Sequence, residues 1–244
     1  MSISRNLADI ALEVIGTDAG TSNAGFGTGT LDSIASGGNY NTALGDSAGT
    51  AISTGDNNVA IGYQAGLAIT TGTDNVAIGY QANKTASTGS CHNVTIGSNS
   101  GDALTTGLMN VAVGKDSAGA LTSGACNIAI GNSALGAGVV TGHDNVAVGA
   151  SSADALTTGC CNVAIGKNAL GVSTTGCDNV AIGESALGGA DTTGILNIAI
   201  GCQSSDALTT GKWNVAIGSC SLSTATTGCQ NVAIGVGALG GGAV

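Results

Sequence analysis

Proline is missing altogether from the 244 residues, aromatic side chains make up 2% of them, and charged ones 8% against a usual ~25%. Each shortage excludes something. Without proline, and without glycine at every third place, the chain is not collagen-like. Five aromatic residues, Phe26, Tyr40, Tyr63, Tyr80 and Trp213, do not build the bulky core of a conventional α/β enzyme. Arg5, Lys84, Lys115, Lys167 and Lys212 are the only bases, against fifteen acids. The resulting formal charge of −10 argues against binding nucleic acid or an anionic membrane through a basic patch. No apolar run is long enough to span a bilayer, and Asp9, Glu13 and Asp18 break the stretch where a secretion signal would need apolar continuity. What is abundant is small: there are 43 glycines, and hydrophobic residues at 43% are too many for the composition of disorder.

Those small residues are arranged in a repeat. A pentapeptide of the form Asn-Val-Ala-Ile-Gly begins at Asn41, Asn58, Asn75, Asn93, Asn110, Asn127, Asn145, Asn162, Asn179, Asn197, Asn214 and Asn231. The spacings run 17, 17, 18 and start again, which makes a 52-residue module. Asp102 to Gly107 returns at Asp154 and at Asp206 with that larger period, and Asn23 opens a degenerate further copy. Between pentapeptides the return segments are of two kinds. One has Leu seven residues after the repeat Gly (Leu104, Leu121, Leu156, Leu208), the other four after it (Leu135, Leu170, Leu187, Leu222, Leu239).

Within the pentapeptide Val59 and Ile61 share one face of a strand, and Ala60 shares the other with Asn58 and Gly62. So much glycine rules out helix, at about 1 kcal/mol lost per glycine. Short strands stacked as a solenoid fit. The expected fold is therefore all-β: a parallel β-solenoid of about twelve 17–18-residue rungs, each holding two short strands and two turns. Val59, Ile61, Val76, Ile78, Val163, Ile165, Val180 and Ile182 are assigned to the core of the repeat. Ala60, Ala77, Ala112 and their equivalents are expected to form a flat outer column against which another chain packs, with a homotrimer the natural count for a fibre. Residues 41–244 are read as the shaft, four 52-residue three-rung modules. Residues 23–40 are a degenerate first rung or cap, and residues 1–22 a short helical or extended anchor. Leu7, Ile10 and Val14 recur there at three- and four-residue steps.

The run Asn179 to Ala186 resembles the head repeat of trimeric autotransporter adhesins, a left-handed parallel β-roll with the core motif Ser-Val-Ala-Ile-Gly. The resemblance covers about residues 41–244. It implies a tight trimer with Val and Ile inside each coil and small side chains along the trimer axis. The rungs here are about three residues longer than in that family. The opening Ile3-Ser4-Arg5-Asn6 is similar to the start of many bacteriophage fibre proteins. Together the two resemblances imply a virion fibre on tail or capsid, assembled in the host cytoplasm and released by lysis. Ile3, Arg5, Leu7, Ile10 and Val14 would dock it to a phage protein, and a host surface receptor is a possible outer partner. A surface adhesin head and an ice-binding solenoid are the alternatives.

No constellation for catalysis, and no cofactor, is expected. Six of the eight cysteines (Cys91, Cys126, Cys160, Cys161, Cys177 and Cys229) gather at the turn before the repeat Asn. Cys160 and Cys177 fall one rung apart, a separation compatible with a disulfide, but cytoplasmic assembly and the lack of Cys-x-x-Cys favour free thiols. A metal cluster of Cys91, His92 and Cys126 is weighed against solvated turn residues, which are favoured, as they are for His143. Asp102, Asp154 and Asp206, with Asp74, Asp144 and Asp178, are read as turn-capping groups and not as calcium ligands. The Asn column is read as a ladder of stacked amides. Thr71, Thr106, Thr158, Thr175, Thr193, Thr210 and Thr227 form a second ladder. Lys212 and Trp213 are the candidate surface contact, either with a receptor or with a neighbouring chain.

Overall fold

The computed structural model describes residues 22–241, apart from 36, 86–88, 137 and 139. The anchor residues Ile3, Arg5, Leu7, Ile10 and Val14 lie outside the described residues. Thirteen three-residue strands, from β1 (Ala24–Phe26) and β2 (Thr42–Leu44) to β13 (Val232–Ile234), lie side by side in sequence order in one parallel sheet. Successive strands are separated by one whole rung, so the chain is a parallel β-solenoid. At ~4.8 Å per rung its axis runs about 58 Å. The register is strict. Between β9 (Val163–Ile165) and β10 (Val180–Ile182), valine meets valine, Ala164 meets Ala181, and isoleucine meets isoleucine. The degenerate copy is a true rung, because β1 pairs with β2 and Asn23 Oδ1 accepts the Asn41 N–H at 2.9 Å.

The two faces of the strand are the reverse of the sequence expectation. Ala60, Ala77, Ala112, Ala164 and Ala181 are at most 1% exposed. The residues assigned to the core, Val59, Ile61, Val76, Ile78, Val163, Val180 and Ile182, are only half-buried, and Ile165 is 38% exposed. Alanine is therefore inside, and it does not form an outer docking column. The reason lies in the asparagine, which shares its phase. Asn162 is 1% exposed, and its amide binds the rungs on both sides, so its whole face must turn inward. Strand and return segment then approach too closely for two bulky layers.

In most rungs the space that remains takes one large aliphatic side chain, and after Gly131 it takes two, Leu135 and Val140. Ile52, Ile69, Leu104, Leu121, Leu156 and Leu208 supply it from the seventh position after the repeat Gly, and Leu31, Leu135, Leu170, Leu187 and Leu222 from the fourth. Where the seventh position fills the slot, the fourth is small. A Cβ on Gly49 would come within 2.9 Å of Ile52 Cδ1 and 3.1 Å of Leu31 Cδ2. The two return types read from the sequence are two ways of filling one slot. Asn83 stands in that slot in the rung that follows Gly79, fully buried, and the apolar core is divided there.

Among the described residues each rung carries one strand and not two. After β9 the chain passes through Asn168 (φ 55), Leu170 (φ 52) and Asp178 (φ 58), and the same three positions are left-handed in most rungs. An extended second strand cannot hold residues in that region. Rung-to-rung bonds persist all the same, as in Thr157 N–H to Thr174 O at 2.9 Å. Among the described residues the return side has one isolated bridge, Leu121 to Val140.

Candidate functional surfaces

Three features run the length of the rod: an interior amide ladder, an exterior aliphatic ribbon and columns of turn residues. The ladder is continuous. Asn162 Nδ2 donates to Asn145 Oδ1 at 3.0 Å and to Gly176 O at 2.7 Å, while Asn162 Oδ1 accepts the Asn179 N–H at 3.0 Å. Each amide thus joins three rungs. Buried and internally satisfied, the ladder is structural and presents nothing to a ligand.

The ribbon is the outward face of the sheet. Ile128, Ile130, Ile165, Ile198 and Ile217 are each 37–39% exposed, and Val59 to Val215 flank them half-buried. No strand residue from Ala24 to Ile234 is ionisable. Its margins are mixed: Tyr63 and Tyr80 stack with ring centroids 5.5 Å apart, and Lys167 Nζ lies 3.5 Å from Glu184 Oε1. An apolar strip about 58 Å by 10 Å covers roughly 600 Å², the size of the largest exposed patches on monomers, which are often functional.

The turn before the repeat Asn holds the polar and reactive side chains. The residue directly before Asn is left-handed in every rung from Asn57 to Gln230, with Asp74, His92, Cys126, Asp144, Cys161, Asp178 and Trp213 among them. His92 Nε2 lies 3.5 Å from Asp74 Oδ2, and His143 Nδ1 lies 2.8 Å from Asp144 Oδ2. The trio Cys91, His92 and Cys126 is not brought together. The rung of Leu108 and Met109 intervenes, as the bonds Met109 N–H to Cys91 O and Cys126 N–H to Leu108 O show. A different trio converges: the ligand atoms of His143, Asp144 and Cys161 all lie within 4.8 Å of one another, and all three residues are exposed. Sequence spacing missed this trio because its members come from adjacent rungs, and the rung register is what aligns them. Lys212 and Trp213 are both exposed at the same turn, Trp213 by 52%.

All eight cysteines are free thiols. Cys160 and Cys177 face each other with their sulfurs 3.0 Å apart. The Cys160 thiol is pushed up to about 12, first by its hydrogen bond to Cys177 and then by burial.

Asp102, Asp154 and Asp206 stand three rungs apart, about 14 Å, so no two of them share a cation. Burial raises the pKa of Asp102, and the charge of Asp116 adds to the shift while Lys84 opposes it. Burial likewise raises Asp206, against a hydrogen bond from the Gly189 N–H. A shallow depression of about 350 Å³ is lined by Ser151, Asp154, Asn168, Gly171, Val172, Ser185 and Gly188. Asp154 is its one ionisable lining group, so the depression offers no pair of carboxylates for acid–base work. Thr71, Thr106, Thr158, Thr175, Thr193, Thr210 and Thr227 are all exposed on the return side. No helix among the described residues is long and apolar enough to cross a membrane. Comparison of the chain with protein-family models, curated proteins and solved structures finds no match.

Proposed function

We propose that the chain is a non-enzymatic structural fibre of a virus particle, a homotrimer of solenoid rods held together through their Val/Ile ribbons. The ribbon is the observation that carries this reading: an uncharged β-branched strip with polar margins, repeated without a break along the rod. Three such faces closing on one axis would together bury roughly 1,800 Å², about 600 Å² from each chain, an area of the size that stable assemblies bury. An apolar centre with a polar rim is also the usual anatomy of such contacts. The strip replaces the alanine column as the association surface, and a closed symmetric count keeps it from remaining exposed. In this reading the N-terminal segment docks to a tail or capsid protein, and the variable turns, Lys212 and Trp213 among them, face the host surface.

The test is an electron micrograph of particles labelled with antibody raised against residues 41–241. Label on projecting fibres is the expected result; particles without label overturn the virion assignment. A surface adhesin head remains the runner-up and predicts label on cells instead. Ice binding, favoured by the exposed threonine column, predicts thermal hysteresis from the purified rod.

A further inference from the structure

We propose that Cys160 and Cys177 are a cross-rung disulfide site, which a small-molecule disulfide oxidant closes without changing the register of the solenoid. Both residues stand two places before a repeat asparagine, and their rungs are adjacent. Asn162 Oδ1 accepts the Asn179 N–H at 3.0 Å, and Cys160 O accepts the Asp178 N–H at 3.0 Å. In-register parallel neighbours have Cα atoms about 4.8 Å apart, inside the range that disulfides span. The sulfurs already touch at 3.0 Å, so bond formation asks for roughly 1 Å of approach by side-chain rotation.

No other pair of the eight has this placement. In the same column Cys91 adjoins Leu108, and Cys229 follows Lys212. In the next column Asp144 stands between Cys126 and Cys161. Cys202 and Cys220 occupy different positions after their repeat glycines, and Cys220 Sγ turns to Gln203 Oε1 at 3.9 Å.

The contacts also give the order of events. Cys177 Sγ accepts the Cys160 N–H at 3.2 Å and the Cys160 S–H. Cys177, as thiolate, attacks one sulfur of the oxidant RSSR and expels RS⁻, leaving a mixed disulfide on Cys177. Cys160 then gives its proton to the departed thiolate, and its sulfur attacks the Cys177 sulfur and expels the second RS⁻, which takes a proton from water. Two protein thiols are oxidised and one RSSR is reduced to two RSH. The product is a covalent clasp on the turn side, where rungs are held by single backbone bonds and not by a strand ladder.

The test uses the full chain, purified reduced, exposed to oxidised glutathione, alkylated and cut with trypsin. Cleavage at Lys115, Lys167 and Lys212 puts Cys160 on residues 116–167 and Cys177 on residues 168–212. The expected result is a cross-link between those two peptides. It survives Cys161→Ser, Cys126→Ser and Cys202→Ser and is lost in Cys160→Ser and in Cys177→Ser, with unchanged circular dichroism in all five. Full alkylation of the wild-type chain, loss of the link in Cys161→Ser, or links only between molecules would each overturn the proposal.

Discussion

Replacing Gly149 by alanine should destabilise the rod by about 4 kcal/mol, because two costs coincide at this position. Gly149 has φ +137, a backbone region that side chains rarely adopt, and a Cβ there would sit 2.6 Å from Gly166 O and 2.7 Å from Gly166 C. The clashing atoms are backbone atoms of the next rung, which cannot turn aside as a side chain would. Two other glycines separate the costs. Gly235 has the same kind of backbone (φ +121) but meets nothing within 4 Å, so Gly235→Ala should show conformational strain alone. Gly107 has no positive φ but a Cβ there would lie 2.5 Å from Gly124 O, so Gly107→Ala should show the clash alone. Urea unfolding followed by circular dichroism reads all three. Gly149→Ala within about 1 kcal/mol of wild type would mean that the rungs are not stacked this closely.

Asn110→Ala should cost a similar amount by another route. Asn110 Nδ2 donates to Asn93 Oδ1 at 3.1 Å and to Gly124 O at 2.9 Å, and Asn110 Oδ1 accepts the Asn127 N–H at 2.9 Å. Alanine leaves Gly124 O and the Asn127 N–H buried without a partner. At about 1–3 kcal/mol for each orphaned group, the loss is about 4 kcal/mol. Asn110→Asp should be worse, since it keeps the acceptor but turns a second one toward Asn93 Oδ1 and Gly124 O and buries a charge. Met109→Ala, one residue away at a side chain 55% exposed, should stay within about 0.5 kcal/mol. The same unfolding measurement checks this series, and equal effects at Asn110 and Met109 would remove the amide ladder from the account.

The rung period, the parallel stacking and the amide column were legible in the sequence, because a solenoid writes its axial repeat directly as a spacing. The direction of the strand faces was not. Period-two alternation separates Val59 and Ile61 from Ala60 but does not say which set is inside, and the ordinary preference for burying bulk points the wrong way here. A signal was present in Asn58, which shares the phase of Ala60: an amide that bridges rungs belongs in the interior, and it takes alanine with it. The recurring leucines of the return segments were a second signal, since the slot they fill leaves no room for isoleucine from the strand. The expected second strand failed for a reason that composition hides. Leu135, Leu170 and Leu187 sit at φ 48–52, a conformation that leucine rarely takes and that only packing into a fixed slot maintains. The meeting of His143 and Asp144 with Cys161 likewise depended on the three-dimensional register.

The chain buries alanine and leaves a Val/Ile ribbon outside, the face through which the proposed trimer would close. The measurement that tests it most directly is the sedimentation-equilibrium mass of the wild-type chain beside that of the double variant Ile130→Lys, Ile165→Lys. A trimer closed through the ribbons gives three times the 22.9 kDa chain mass for wild type and a single chain for the variant, with the same circular dichroism spectrum for both. A wild-type mass of one chain, or a variant that unfolds as a core substitution would, contradicts it.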